Sequence, residues 1–218
     1  MTERIRPTIE SSEVVRLFPT FVWKAQLARE TYEAINADVL RELDELTRDQ
    51  PIAASGEGWQ SGHGLHKLPA FFGLMDCVSA AVKDVLGFLK IGNDAFSVTG
   101  CWANVAAPGG WHRMHSHPNN FLSGVSYVRV QEGADTINFH DPRPQTGIIR
   151  PPVTELTAYN TDQVVVKVQT ATLLLFPAWL SHSVSPNESR ETRISVSFNV
   201  MFSAFAEEMS KPLWGEER

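Results

Sequence analysis

Hydrophobic and polar positions divide the chain into two parts with different periodicities. Between Glu30 and Thr47, apolar side chains recur every three or four positions, which predicts an amphipathic helix. A second stripe of the same kind predicts another helix from Leu68 to Leu89, ended by the turn residues 92–94. The apolar segment from Val14 to Ala25 predicts an extended strand that a proline interrupts.

From about residue 96 onward, the pattern is that of short strands separated by turn residues. This pattern favours a β-sandwich or barrel, and we therefore expect a single domain, 1–218, with a helical and mixed region, 1–95, and a β core, 96–218. The candidate strands are Phe96–Val105, Leu122–Val130, Thr136–Phe139, Gln163–Val168, Ala171–Phe176 and Arg193–Phe202.

The last candidate strand, residues 193–202, alternates strictly between polar and apolar side chains. Successive side chains on a strand point to opposite faces, so one face is apolar and the other carries an arginine, two serines and an asparagine. Either a solvated outer surface or a polar interior cavity explains such a face. The choice between these two explanations depends on which other side chains point into the same space.

A glycine-rich segment, residues 56–66, lies between the two predicted helices and is expected to form a loop. It contains Trp59, Gln60 and His63. One interpretation is a surface loop with the tryptophan buried in the core. The other is a wall or lid over an active site, in which these three side chains shape the substrate mouth.

Composition narrows the classes of partner and the location. The formal net charge is −6 and there is no basic run, which argues against nucleic-acid binding. No apolar run reaches the ~18 residues that a membrane helix needs, and the polar N-terminus lacks an apolar signal region. The two cysteines fit no disulfide or zinc pattern. We therefore expect a soluble, cytoplasmic protein without membrane or nucleic-acid partners.

Histidines form the densest group of potential metal ligands in the chain. His115 and His117 are two residues apart, so on an extended backbone both rings leave the same face and can bind one ion. His182 follows a later apolar strand and can supply a distant third ligand. This spacing is typical of a facial metal triad with open coordination positions, not of a closed four-ligand zinc site.

Arg193 and Ser195 follow the distant histidine by about the length of a hairpin. They share the polar face of the last strand, where a guanidinium and a hydroxyl can grip a carboxylate. A dicarboxylate chelated to the metal at one end and held by Arg193 at the other explains why a strand face carries a buried arginine, which is costly without a partner.

With these motifs in place, the sequence resembles the Fe(II)/2-oxoglutarate-dependent oxygenase superfamily, and within it a prolyl-hydroxylase-like family of bacteria and phages. The most specific stretches contain the distal histidine and the Arg-x-Ser motif. The resembling stretches are residues 17–20, 58–61, 115–119, 122–128, 139–143, 175–184 and 193–200.

The resemblance implies a mainly β fold, a double-stranded β-helix of jelly-roll or cupin type with helices packed outside. It also implies that Fe(II), 2-oxoglutarate and dioxygen are used, with no catalytic residue beyond the metal centre. Arg193 and Ser195 match the residues that bind the far carboxylate of the cosubstrate. Asn104 and Tyr127 lie on strands that line the cosubstrate pocket in this superfamily.

The chain departs from the superfamily motif at one ligand, where His117 stands in place of an aspartate or glutamate. His117 itself is the expected third ligand. In one alternative, Asp141 reaches in from a neighbouring strand as the third ligand, and His117 does not contact the metal but supports a residue that does. In the other, a water or chloride occupies the third position.

The expected reaction is hydroxylation of a small molecule or of an amino-acid or peptide side chain, with release of succinate and carbon dioxide. One rival is a cupin-type metal dioxygenase with three histidines that does not use 2-oxoglutarate. Another is a non-catalytic barrel that binds a metal or a ligand. The sequence leaves the substrate and the oligomeric state open, a homodimer included.

Overall fold

The computed structural model describes residues 9–48, 56–93, 95–143 and 151–208. Two single 3₁₀ turns, Leu65–Lys67 and Pro69–Phe71, precede the second helix. Within the described ranges the other elements are β1 (Trp23–Gln26), α1 (Arg29–Thr47), β2 (Gly58–Gln60), α2 (Phe72–Phe88), β3 (Phe96–Ala106), β4 (His112–His115), β5 (Leu122–Arg129), β6 (Thr136–His140), β7 (Gln163–Lys167), β8 (Thr172–Pro177), β9 (His182–Val184), β10 (Arg193–Phe202) and α3 (Ser203–Glu208).

The strands form two antiparallel sheets. The larger sheet has six strands in the order β1-β8-β5-β10-β3-β2, and the smaller has four in the order β4-β9-β6-β7. Neighbours in each sheet are mostly distant in sequence, as in a jelly roll, in which the chain passes back and forth between two facing sheets. The arrangement is a double-stranded β-helix, which confirms the predicted fold class.

The outer face of the larger sheet carries the main hydrophobic core. Helices α1 and α2 cover this face, and their buried side chains pack against the apolar positions of β3 and β10, including Val196 and Phe198, both fully buried. Gly124 on β5 pairs with Phe198, and a Cβ at this glycine would lie 2.6 Å from the carbonyl oxygen of Leu174 as well as against the phenylalanine ring. The glycine is needed for this close approach.

The inner face of the larger sheet looks toward the smaller sheet. A second apolar cluster, to which Tyr127, Phe139 and Phe176 belong, fills part of the space between the sheets. The polar positions of β10 reach this same interior, because the strand alternates as its sequence indicates. The polar face of residues 193–199 is therefore an interior face and not a solvated outer surface.

Most predicted elements are found within one or two residues of their expected bounds, and the exceptions have physical causes. The expected strand from Val14 shrinks to β1, because only residues 23–26 find a partner, on β8. Helix α2 begins at Phe72 and not at Leu68, because Pro69 starts a separate 3₁₀ turn. The expected loop at residues 56–66 contains β2, which adds to the edge of β3.

None of the helices within the described residues combines the length and the apolar character that crossing a bilayer demands.

Cys101 is buried and Cys77 is partly buried, and both are free thiols. Burial raises the pKa of Cys101 to about 12, so its thiol stays protonated and unreactive.

Candidate metal and cosubstrate site

The three histidines expected to bind a metal converge in the interior of the barrel. The nitrogens of His115, His117 and His182 lie within 4.8 Å of one another, a grouping that can hold one metal ion. The rings of His115 and His182 are the closest pair, with centroids 4.3 Å apart. Each ring contributes one nitrogen, so the group offers three ligands and leaves room for further ones.

Sheet pairing brings these residues together from distant parts of the chain. His115 ends β4 and pairs directly with His182, the first residue of β9. The backbone amide of His117 donates to the carbonyl oxygen of Ala178 at 2.9 Å, which fixes the loop after β4 against the loop before β9. The cluster therefore depends on the β4–β9 pairing, and neither strand is among those that the sequence pattern predicts.

Two of the three rings are held in a defined tautomer. Nδ1 of His115 donates to the carbonyl oxygen of Arg113 at 2.8 Å, and Nδ1 of His182 donates to that of Leu180 at 3.0 Å. A carbonyl only accepts, so Nδ1 carries the proton in both rings and Nε2 presents its lone pair. Such outer hydrogen bonds orient metal ligands and raise their basicity.

Burial keeps two of the three rings, those of His117 and His182, uncharged. Burial, with smaller contributions from the nearby His182 and His115, lowers the pKa of His117 to about 3. It also lowers the pKa of His182 to about 4, against the opposing effect of the Leu180 hydrogen bond. Neutral imidazole is the form that binds metals, so protons compete weakly for these two rings near neutral pH.

Arg193 is a buried cation in the same cavity, and it is only 6% exposed. Within the described residues it takes part in no ion pair, and its Nε atom is buried without a hydrogen-bond partner. Its guanidinium carbon lies 5.4 Å from the centroid of the Tyr127 ring, which gives a cation–π contact. The strong burial lowers the arginine pKa. A carboxylate in the cavity would relieve this cost.

The other expected cosubstrate residues differ in how they meet the cavity. Ser195 lies opposite both Asn104 on β3 and Tyr127 on β5. Ser195 and Asn104 line the cavity, and the Oδ1 atom of Asn104 is buried without a partner. Tyr127 is fully buried and reaches the cavity only through Arg193, whose guanidinium it contacts.

The cavity that holds these groups has a volume of about 270 Å³, and β2 contributes to its wall. Gln60 and His63 line it, and their side chains contact each other at 3.1 Å between Nε2 atoms. The His63 ring lies over Trp102, with centroids 4.7 Å apart. Trp59, also expected at the mouth, packs against the main core, because neighbouring residues of a strand face opposite sides.

Asp141, the alternative third ligand, lies outside the histidine group. Its carboxylate accepts from Arg143 at 2.6 Å, and this partner lowers the pKa of Asp141.

His112 lines the cavity near Arg193 and is not among the residues predicted from the sequence. Its only signal in the sequence is its place in the histidine-rich segment before β5. Both His112 and His115 line the cavity, and the pairing of β4 with β9 has a register shift between them that no local pattern encodes.

Comparison with known proteins connects this geometry to a family. Residues 100–199, which contain all three clustered histidines and Arg193, match the model of the family described as "Putative 2OG-Fe(II) oxygenase". No functionally curated protein matches the sequence.

Solved structures with the same fold share little sequence with this chain. The epimerase SnoN, in complex with Fe3+, alpha ketoglutarate and nogalamycin RO, aligns with a TM-score of 0.59 at 14% identity, over 91% of this chain and 88% of its own. HygX from Streptomyces hygroscopicus, with nickel and 2-oxoglutarate bound, aligns at 0.57 and 11% identity, over 84% and 83%. A prolyl hydroxylase from Trichoplax adhaerens, in complex with a hypoxia inducible factor peptide fragment, aligns at 0.56 and 14% identity, over 87% of both chains.

Proposed function

We propose that this chain hydroxylates a small molecule or an amino-acid or peptide side chain, because residues 100–199 match the model of a family of Fe(II)/2-oxoglutarate-dependent oxygenases. In the balanced reaction, one oxygen atom of O2 enters a C–H bond of the substrate and the other enters succinate. The 2-oxoglutarate is oxidised and decarboxylated, and carbon dioxide leaves. The cofactors are accordingly Fe(II), 2-oxoglutarate and dioxygen.

The observation that carries this proposal is the presence, in one cavity, of a three-histidine cluster and a buried arginine that has no carboxylate partner among the described residues. The residues fit the cofactors: His115, His117 and His182 would hold Fe(II) through neutral nitrogens. Arg193 would pair with the far carboxylate of 2-oxoglutarate, and Ser195 would add a hydroxyl donor. When bound, the iron supplies the oxidation, and the protein supplies position and exclusion of water.

The interior also explains how the cosubstrate would be oriented. Arg193 is fixed by the Tyr127 ring beneath it, so its planar donors have one orientation toward the cavity. The amide of Asn104 donates to the hydroxyl of Ser197 at 3.0 Å, which holds Asn104 Oδ1 at the wall. Apolar side chains, among them Val125 and Phe176, complete the lining and restrict water.

The substrate class is proposed at a coarse level. Similar folds are seen with a small molecule, nogalamycin RO, and with a peptide fragment. The cavity of about 270 Å³ must also hold the cosubstrate, so only one substituent of a substrate can enter it. This favours either a compact metabolite or a single side chain presented by a larger partner.

The test is turnover of 2-oxoglutarate by the full chain. The protein is loaded with Fe(II) under nitrogen, exposed to dioxygen, and assayed for succinate with and without panels of amino acids and peptides. We expect slow succinate formation alone and faster formation with a substrate. The matched control is His182→Ala, which should form none above background.

A second candidate is a 2-oxoglutarate-independent dioxygenase, because an all-histidine iron site is typical of cupin-type enzymes. The same assay separates the two functions. Dioxygen uptake that requires iron but not 2-oxoglutarate would favour this second candidate. Metal-loaded protein that binds 2-oxoglutarate but never forms succinate would instead indicate a ligand-binding barrel.

A further inference from the structure

The charge balance of the cavity is unusual for a site that binds a dication and a dianion. Of the seventeen described residues that line the cavity, Arg193 is the one with a fixed charge, and none is an aspartate or glutamate. The remaining polar lining groups are amides, hydroxyls and imidazoles. Among the described residues, the wall therefore brings a positive charge and no negative one.

Within the described residues, no carboxylate is among the groups that shift the pKa values of Arg193 and of the three cavity histidines whose pKa is lowered. The charged groups that act on His112, His117 and His182 are other histidines and Arg193. The group that acts on Arg193 is the hydroxyl of Tyr127, which is itself protonated because burial raises its pKa to about 12. Asp141 is engaged by Arg143 outside the cavity.

The proposed function fixes the remaining charges. A divalent iron and Arg193 together carry three positive charges, and 2-oxoglutarate brings two negative ones. One positive charge is left over when the three protein ligands are neutral histidines, whereas an aspartate in place of His117 would cancel it. An uncompensated charge in a partly enclosed cavity is costly and attracts an anion.

Neutral hydrogen-bond donors stand where such an anion would enter. Gln60 and Ser116 are exposed residues of the lining, and we take them to mark its open side. The amide of Gln60 uses one N–H toward His63 at 3.1 Å, which leaves its second N–H for a ligand. Amide and hydroxyl donors suit a carboxylate, because hydrogen bonds to an ionised acceptor are stronger than those to a neutral one.

We propose that the substrate carries a negatively charged group, a carboxylate, which binds on the Gln60–Ser116 side of the cavity and balances the charge left by the all-histidine metal site. This inference rests on the proposed function. It names the substrate class as anionic and makes His117 a specificity-determining residue as well as a ligand.

The experiment compares two probes of similar size that differ in charge, acetate and acetamide. The full chain is loaded with Co(II) under nitrogen and saturated with 2-oxoglutarate, and each probe is titrated while the visible absorption of the cobalt is recorded. We expect acetate to bind at least about tenfold more tightly than acetamide, a factor typical of one modest electrostatic contact. Equal affinities would overturn the proposal.

Two variants of the metal ligand His117 provide the matched control, because their new side chains, aspartate and asparagine, have nearly the same shape and differ in charge. In His117→Asp the additional positive charge is cancelled, and we expect the preference for acetate to fall to about twofold or less. In His117→Asn the position stays neutral, and the preference should persist. An acetate preference that is the same in both variants would exclude His117 as its cause and overturn the proposal.

Further measurements address the location of the anion and its source. Gln60→Glu places a carboxylate at the open side of the cavity and should weaken acetate binding several-fold. Co(II) and 2-oxoglutarate should stay bound in this variant. An unchanged acetate affinity would contradict the assignment of the anion to this side. Chloride that displaces acetate at equal concentration would identify an inorganic ion as the balancing charge and overturn the assignment to a substrate.

The failure of this inference can be distinguished from the failure of the proposed function. Retention of 2-oxoglutarate by the Co(II)-loaded protein is measured first, after dialysis. If it is lost, the proposed function and this inference fail together. If it is retained and acetate is not preferred, only the inference about substrate charge fails.

Discussion

The two faces of β10 have the same backbone and the same neighbouring strands, but they serve different purposes. Toward the helices the strand presents Val196 and Phe198, which are completely buried in the main core. Toward the smaller sheet it presents Arg193, Ser195 and Ser197, which line the cavity. The helix face can be filled with apolar groups because nothing must bind there. The cavity face keeps polar groups without full internal partners, which is the state a ligand completes.

This comparison predicts that substitutions on the cavity side change binding, whereas those on the helix side change stability. The largest binding effect is expected for His182→Ala on β9, opposite β10. Removing a direct ligand should weaken Co(II) binding by more than the roughly 10–100-fold that outer-shell changes cost. Competition with a chromophoric chelator measures the affinity. The matched control is His140→Ala, which removes a ring bonded to Ser183 outside the cavity lining and should retain the metal. Similar losses in both variants would contradict the assignment.

Arg193→Ala is expected to have the next largest effect. Truncating one partner of a buried charge pair costs about 2–5 kcal/mol, so 2-oxoglutarate should bind roughly 30-fold more weakly or worse while Co(II) affinity is unchanged. Calorimetric titration of 2-oxoglutarate into metal-loaded protein measures this. Arg193→Lys keeps the charge but loses the planar paired donors, so it should fall between wild type and alanine. Wild-type affinity in the alanine variant would remove Arg193 from the cosubstrate site.

Phe198→Ala tests the helix face. Large-to-small changes of buried aromatic residues cost about 3–5 kcal/mol, and we expect a loss of this size in the free energy of unfolding, measured by urea denaturation. Below its melting temperature, the variant should still bind Co(II) and 2-oxoglutarate with near wild-type affinity. Its neighbour on the opposite face supplies the contrast: Ser197→Ala should cost about 1 kcal/mol or less, the typical value of one hydrogen bond, here that from Asn104.

The metal-free protein is also expected to show a pH dependence of its stability. Burial, with a further contribution from Arg193, lowers the pKa of His112 to about 4. As the pH falls, His112 of the unfolded chain binds a proton near pH 6.5, whereas the folded chain binds it only near pH 4. The free energy of unfolding therefore decreases as the pH falls from 6.5 toward 4. Replacing His112 by glutamine should reduce the slope of unfolding free energy against pH in this window by up to about 1.4 kcal/mol per pH unit. An unchanged slope would show that His112 is accessible to protons in the fold.

Local patterns predicted the parts of the fold that local forces determine. The alternation along residues 193–202 gives β10 with its bounds, because one apolar face and one polar face require a strand between two different environments. The short strands β4 and β9 escaped prediction because they are four and three residues long and form by pairing with each other, which no local pattern encodes. The sequence left the position of Trp59 open between core and mouth for a related reason, since pairing with β3 sets which side it faces.

The candidate site was predictable to the extent that its chemistry was concentrated in motifs. Two histidines separated by one residue, a third after a strand, and an arginine and serine on one face sufficed to expect a metal and a dicarboxylate. The sequence left the third ligand open, and the structure brings His117, not Asp141, to the other two histidines. His112 could not be assigned, because its direction depends on the irregular pairing within β4.

The hydrogen bonds from the His115 and His182 rings to backbone carbonyls two residues earlier have a consequence for metal supply. These bonds orient both rings without help from an ion, so the site exists before metal arrives and accepts an ion without folding around it. Three neutral nitrogens bind nickel, copper and zinc more readily than iron, following the general order of stability of divalent metals. The ion found in a preparation therefore reports which metals were available during expression, and catalytic iron must be added in a controlled way.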